Sequence, residues 1–276
     1  MVIDIANQDG GDIADLWEVA QYNWNEDEEF IQFSEDFSNN GTWYIRKLYN
    51  AVGFNSKKKW RYRDRQGHVI IPFVIKGPYK KWQKKRIRKA MNRIEANTCI
   101  RFRRKTRKQK DHIVIRNRFN AGCYSTVGRP GGASLLSLEA NHKRTCMTDY
   151  IVLHELLHVV GLWHEHQRAD RDRFIKVVRK NVAKGMKLQF KKVKPPQAYT
   201  YNVQYDYMSI MHYNKHTFAI GKRITMRTRD PRYQNLIGKV NDASPSDYLK
   251  VCRMYGCKGC EAFQLTRFKP PRYIMG

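Results

Sequence analysis

His154 and His158 stand four residues apart, a spacing that on a helix stacks two imidazoles on one face about one turn apart. Two such groups can share one metal ion, but a third ligand must come from elsewhere. Gly161 supplies the means. Glycine reaches positive φ without steric penalty and commonly ends a helix, so the chain can turn back and bring His164 to the same ion. Three neutral imidazoles leave zinc an open position for water, the ligand set of a catalytic site. Glu155, beside the first histidine, is placed to act as general base on that water. The chemistry implied is hydrolysis, with one catalytic zinc ion held by His154, His158 and His164.

The element that must position these groups is a helix. The run TDYIVLHELLHVV offers Ile151, Leu153, Leu156, Leu157, Val159 and Val160 as apolar faces, uninterrupted by Pro or Gly. The pattern H-E-x-x-H-x-x-G-x-x-H fixes five positions and is that of the metzincins. Further on, YDYMSIMHY runs from Tyr205 to Tyr213. This segment, together with HEHQRADRD from His164 to Asp172, closely resembles the astacin family of zinc metalloendopeptidases.

The resemblance covers roughly Ala51 to Cys257 and carries expectations with it. It implies an α+β fold in two lobes, with a mixed sheet and two long helices in the N-terminal lobe and an irregular C-terminal lobe. Met211 would form an apolar floor beneath the zinc, and Tyr213 would be a movable extra ligand that stabilises the oxyanion. Glu165 would receive the N-terminus of the mature chain, which would begin near Asn50 or Ala51. Cys99 would pair with Cys257, and Cys123 with Cys146. Cys252 and Cys260 are extra, and whether they pair with each other stays open. The strand Ser134–Glu139 would be the exposed edge along which an extended peptide substrate lies. A pro-segment aspartate would sit on the zinc. FSEDF offers Asp36 for this, with Glu35 in place of the family's glycine, and Gly11-Asp12-Ile13 is the rival.

The 276 residues carry a net charge of +28. Residues 1–50 hold only Arg46 and Lys47 against eleven acidic residues, a net −9, so the remainder carries +37. An acidic leader joined to a basic body suggests a shielding segment and its target. The domain reading is therefore an acidic pro-segment over 1–49, a catalytic domain over 50–260 and a basic tail over 261–276. The partners implied are a protein or peptide substrate and an activating protease, for which Arg46, Lys47 and Lys57–Lys59 suit a trypsin-like or furin-like cleaver. Nucleic acid is not expected as a partner, and a monomer is. The alternative is a basic polyanion binder with a vestigial zinc site.

Six cysteines allow fifteen pairings, and spacing does not choose among them. Their even number suits disulfides and export, and Asn40-Gly41-Thr42 is a glycosylation sequon. No hydrophobic signal opens the chain, so secretion requires one not visible in this sequence. No stretch is long enough to span a membrane. Between the termini, His68–Ile75 reads as a strand that Pro72 assigns to an edge or bulge. Tyr79–Thr98 reads as a helix with Trp82, Ile87, Met91 and Ile94 on one face, and Cys99–Lys105, Asp111–Asn117 and Ala133–Ala140 read as strands. His216–Ile220 and Arg223–Arg227 read as a hairpin about Gly221, and Ser244–Cys257 as a capped helix.

Overall fold

The computed structural model describes residues 2–4, 51–53, 55–141, 145–193 and 198–260. Asp12, Asp36, Asn40, the basic pair Arg46 and Lys47, and the tail 261–276 lie outside the described residues. The fold is α+β. Strands β1 (Val2–Asp4), β3 (Val69–Lys76), β4 (Ile100–Arg104), β5 (His112–Arg116), β6 (Cys123–Ser125) and β7 (Ala133–Leu138) form one mixed sheet in the order β1-β6-β7-β5-β3-β4. The four strands from β7 to β4 run parallel, whereas β6 is antiparallel to β7 and β1 is antiparallel to β6. Alternate residues of the parallel strands (Val69, Ile71, Ile113, Ile115, Leu136, Leu138) are fully buried.

Two helices pack on this sheet. Helix α1 (Lys81–Asn97) buries Gln83, Ile87, Ala90, Met91 and Ile94, an i, i+4, i+7 stripe, and leaves lysines and arginines outside. Trp82 is not on that stripe; it is half exposed, with the Arg86 guanidinium over its ring. Helix α2 (Asp149–Val160) is capped by the Thr148 hydroxyl and is buried at every position from Ile151 to Val160. Helix α3 (Pro245–Tyr255) starts in a capping box between Ser244 and Asp247.

Three further sequence expectations are corrected. Pro72 lies in an internal strand, not at an edge. The strands are staggered: β4 pairs with β3 over Val69–Phe73 and β5 only from Phe73 onward, so the missing N–H of Pro72 falls before β5 begins. The strand Ser134–Glu139 is not an edge either, because β7 is enclosed between β5 and β6. On that side β6 follows β7, and β1 lies outermost, with Val2 opposite Ser125 and Asp4 opposite Cys123. Finally, β10 (Met226–Thr228) pairs with β8 (Ile175–Val177) and not with His216–Ile220.

The opposite edge of the sheet is closed by side chains. On β4 the Phe102 N–H donates to Glu95 Oε1 at 2.8 Å, and its carbonyl accepts from Arg103 at 3.0 Å and Arg88 at 3.4 Å. Ile100 N–H donates to Thr98 Oγ1 at 3.1 Å, and its carbonyl accepts from Arg101 at 2.7 Å.

Among the described residues the buried side chains form two hydrophobic clusters. The larger spans the sheet, α1, α2 and the inner face of α3 and includes Met211; the smaller gathers Ile175, Phe190, Tyr205, Tyr213, Phe218, Met226 and Ile237. Strand β2 (Ala51–Val52) pairs with β9 (Ala198–Tyr199), and Val52 N–H donates to Gly161 O at 3.0 Å. Disulfides join Cys99 to Cys257, Cys123 to Cys146 and Cys252 to Cys260.

Candidate metal centre

Helix α2 ends where the histidine pattern requires. Gly161 has φ +129, and a Cβ there would come within 2.9 Å of Val52 Cγ2 and 3.1 Å of Met254 Sδ, so both conformation and packing call for glycine. Its N–H closes the helix on the carbonyls of His158 and Leu157. Past this turn His164 returns to α2. His154 Nε2 lies 3.0 Å from His158 Nε2, which lies 3.2 Å from His164 Nε2. The three rings contribute one nitrogen each to a group within 4.8 Å, at the boundary between the two clusters.

The protonation of two rings follows from their partners. His154 Nδ1 is 2.7 Å from Ile210 O, and His158 Nδ1 is 2.6 Å from Leu162 O. A carbonyl only accepts, so both Nδ1 atoms carry hydrogen and both Nε2 atoms present lone pairs. Converging lone pairs repel unless a cation lies between them. Tetrahedral zinc with Zn–N bonds of about 2.05 Å requires N···N separations of about 3.3 Å, close to those observed. The donor set therefore fits zinc, and the Nδ1–carbonyl bonds are the outer contacts that orient metal-bound histidines.

The remaining expected residues gather round this point. Glu155 is fully buried on α2, and its backbone carbonyl accepts from Ser125 Oγ of β6 at 3.0 Å. Tyr213 lies with its ring centroid 4.3 Å from that of His164 and is stacked on His166 at 4.0 Å. Met211 is fully buried, and its carbonyl accepts from Glu165 N–H at 2.9 Å. Burial drives the imidazoles of His166 and His212 below the ordinary histidine range, so both are neutral. His166 Nε2 donates to Gln189 O, while His212 donates through Nδ1 to Tyr213 O and accepts from Tyr205 Oη at 2.7 Å.

Behind the histidines lies a buried ion network. Glu165 Oε2 meets Lys250 Nζ at 2.6 Å, and Oε1 meets Arg168 at 3.2 Å and Asp206 N–H at 3.0 Å. Arg168 also forms a two-point pair with Asp170 at 2.8 and 2.9 Å. Burial alone would push the Glu165 carboxyl up, but Lys250 and Arg168 hold it below the usual range. Asp247 accepts from Ser209 Oγ at 2.6 Å and from Ile210 N–H at 3.0 Å; burial pushes its carboxyl up, and Lys250 at 3.7 Å offsets this only in part. Lys250, Asp247, Arg168 and Ser209 were not among the residues picked out by sequence. Asp247 lies unremarked within a capped helix, and nothing in the composition marks a lysine 85 residues from Glu165 as its partner.

Residues 54–256 match the astacin family of peptidases. The chain is 44% identical over 212 residues to zinc metalloproteinase nas-5 of Caenorhabditis elegans, covering 76% of this chain and 59% of that protein. It is 38% identical over 211 residues to zinc metalloproteinase nas-6 of the same organism, covering 76% and 57%. The chain thus spans less than two thirds of these relatives. Among solved structures, high choriolytic enzyme 1, a hatching enzyme zinc-protease from Oryzias latipes, superposes with a TM-score of 0.68 at 33% identity, covering 76% of this chain and all of that one.

Proposed function

Since the chain belongs to the astacin family of zinc metallopeptidases, we propose that it is a secreted zinc endopeptidase made as an inactive precursor. The observation that carries this reading is the convergence of three Nε2 atoms, two of them with their Nδ1 hydrogens committed to carbonyls. Zinc, when bound there, supplies Lewis acidity toward water and the scissile carbonyl. Glu155 removes a proton from water and passes it to the leaving amine. Tyr213, beside His164, donates a hydrogen bond to the developing oxyanion. The buried histidines behind them stay neutral and exclude water from the floor of the site.

Among the described residues, the strand next to Glu155 whose edge could receive an extended substrate once β1 is gone is β6, which is bonded to α2 through Ser125. In the uncleaved chain Val2–Asp4 takes that edge, which supports a leader that must be removed before substrate can pair. Within this reading residues 1–49 are the pro-segment, 50–260 the catalytic domain and 261–276 a basic tail. Asp36 is the zinc-directed carboxylate and Asn40 a glycan acceptor.

The test is digestion of casein by the chain after removal of residues 1–49, with and without chelator, alongside metal analysis. Hydrolysis is expected only after removal, lost with chelator and restored by zinc. Glu155→Gln should retain zinc and lose activity by about a thousandfold or more. Undiminished hydrolysis by Glu155→Gln, or in the presence of chelator, would overturn the reading.

A further inference from the structure

Lys250 is fully buried on α3, far in sequence from the histidines, and the chemistry above does not use it. Its ammonium lies 2.6 Å from Glu165 Oε2 and 3.7 Å from Asp247 Oδ1. Both carboxylates lead directly to the metal centre. Glu165 follows His164 in the chain, and its N–H holds Met211 O at 2.9 Å. Asp247 takes the N–H of Ile210 at 3.0 Å, and Ile210 O in turn receives the Nδ1 hydrogen of His154 at 2.7 Å.

We propose that Lys250 is a positioning residue of the metal centre: its buried ammonium joins Glu165 to Asp247 and so fixes the two backbone segments that orient His164 and His154. The inference rests on the zinc reading of the site. It carries a second consequence. The Glu165–Lys250 pair is present in the uncleaved chain, so the charge on Glu165 does not wait for a new N-terminus to neutralise it. Activation then uncovers a metal centre already braced, and the new terminus adds little to its order.

The physical reason is the penalty for an unbalanced buried charge. Removing one partner of a buried pair leaves the other desolvated and uncompensated, whereas removing both charges together is mild. A bracing role also predicts where the damage appears. Contacts behind metal ligands, when lost, weaken metal affinity or activity by about 10- to 100-fold.

The experiment compares Lys250→Met, Glu165→Gln and the double variant, each made as the full chain. Zinc affinity is read by competition with a chromophoric chelator, and kcat and KM are read after cleavage at an engineered site. Lys250→Met should raise the zinc Kd and lower kcat, each about tenfold or more, with KM within about twofold. The double variant should lose less than the two single losses combined. A wild-type zinc Kd and kcat in Lys250→Met, or strictly additive losses in the double variant, would overturn the proposal. Should Lys250→Met fail to fold, the double variant must fold; its failure counts against the proposal equally.

A second arm cuts the wild-type chain to begin at Ala51 or at Tyr49. The two forms should agree in kcat within about threefold, because Lys250 rather than the terminus balances Glu165. A larger loss in the longer form would assign that task to the terminus. Absence of zinc binding by the wild-type chain would instead defeat the zinc reading itself.

Discussion

Gly238→Ala tests whether the position of Tyr213 limits the chemistry. Gly238 has φ +68, and a Cβ placed there would lie 2.3 Å from Asn214 N, 2.5 Å from Asn214 Cα and 2.7 Å from Tyr213 C. These are backbone atoms, which cannot rotate aside. Ordinary contact begins near 3.4 Å, so the Tyr213–Asn214 peptide must withdraw by about 1 Å, a displacement that can lower turnover about 100-fold when it misplaces a catalytic group. The left-handed φ adds about 1 kcal/mol of strain, and overpacking a further 1–3 kcal/mol, or roughly 5–10 °C in Tm for a chain of this size. Gly221→Ala is the control. It has φ +57 with nothing within 4 Å of the new Cβ, so it should lose only the strain and keep its kcat. The assay is kcat and KM on a quenched fluorescent peptide, with Tyr213→Phe and the double variant in parallel. Gly238→Ala should lower kcat 10- to 100-fold, and this loss should largely disappear when Tyr213→Phe is already present. Wild-type kcat in Gly238→Ala, or a loss fully additive with Tyr213→Phe, would refute the reasoning.

The leader supplied in trans should inhibit the activated chain, and raising salt from about 50 to 500 mM should weaken its Ki about tenfold, because opposite net charges drive the encounter; a salt-independent Ki removes the electrostatic part. Replacing Cys99 and Cys257 by serine opens a loop of 158 residues and should cost about 5 kcal/mol in urea unfolding, against about 2.5 kcal/mol for the 8-residue loop between Cys252 and Cys260; equal losses contradict the chain-entropy account. Burial raises the Asp111 carboxyl, but the Gly132 N–H and Arg129 outweigh it and hold it below its ordinary value of 3.8. Its contribution to stability is therefore complete above that value and lost as pH falls through the folded value. Asp111→Asn should accordingly lose stability at pH 7 and show a flatter decline below about pH 4 than the parent, as followed by denaturant titration.

What could be read from sequence was what depends on near neighbours. The two-histidine face of α2, its end at Gly161, the Ser244 cap of α3 and the alternation in Cys99–Lys105 are set within one or two turns of chain. Strand order is not local. The resemblance implied that Ser134–Glu139 was an edge, and only the antiparallel return of Cys123–Ser125 encloses that strand. Pro72 argued for an edge because the rule assumes partners of equal length, whereas β5 starts one residue later. The ion network was hidden for a related reason. Lys250 resembles any other basic residue of a basic chain until folding places it, wholly buried, against Glu165.

The side-chain caps on β4 have a consequence for how copies of the chain can meet. Polymerisation through sheet edges needs two open edges per molecule, one to receive a strand and one to offer. The outward backbone groups at Ile100 and Phe102 are already satisfied by Thr98, Arg101, Glu95, Arg88 and Arg103, so one edge is closed. The proposed removal of the leader would take β1 with it and free the edge of β6. Two copies could then pair β6 to β6 about a twofold axis, and each sheet would meet the satisfied groups of Ile100 and Phe102 at its far side. The arginines on β4 thus act as chain terminators for this sheet, which a doubly open sheet would lack.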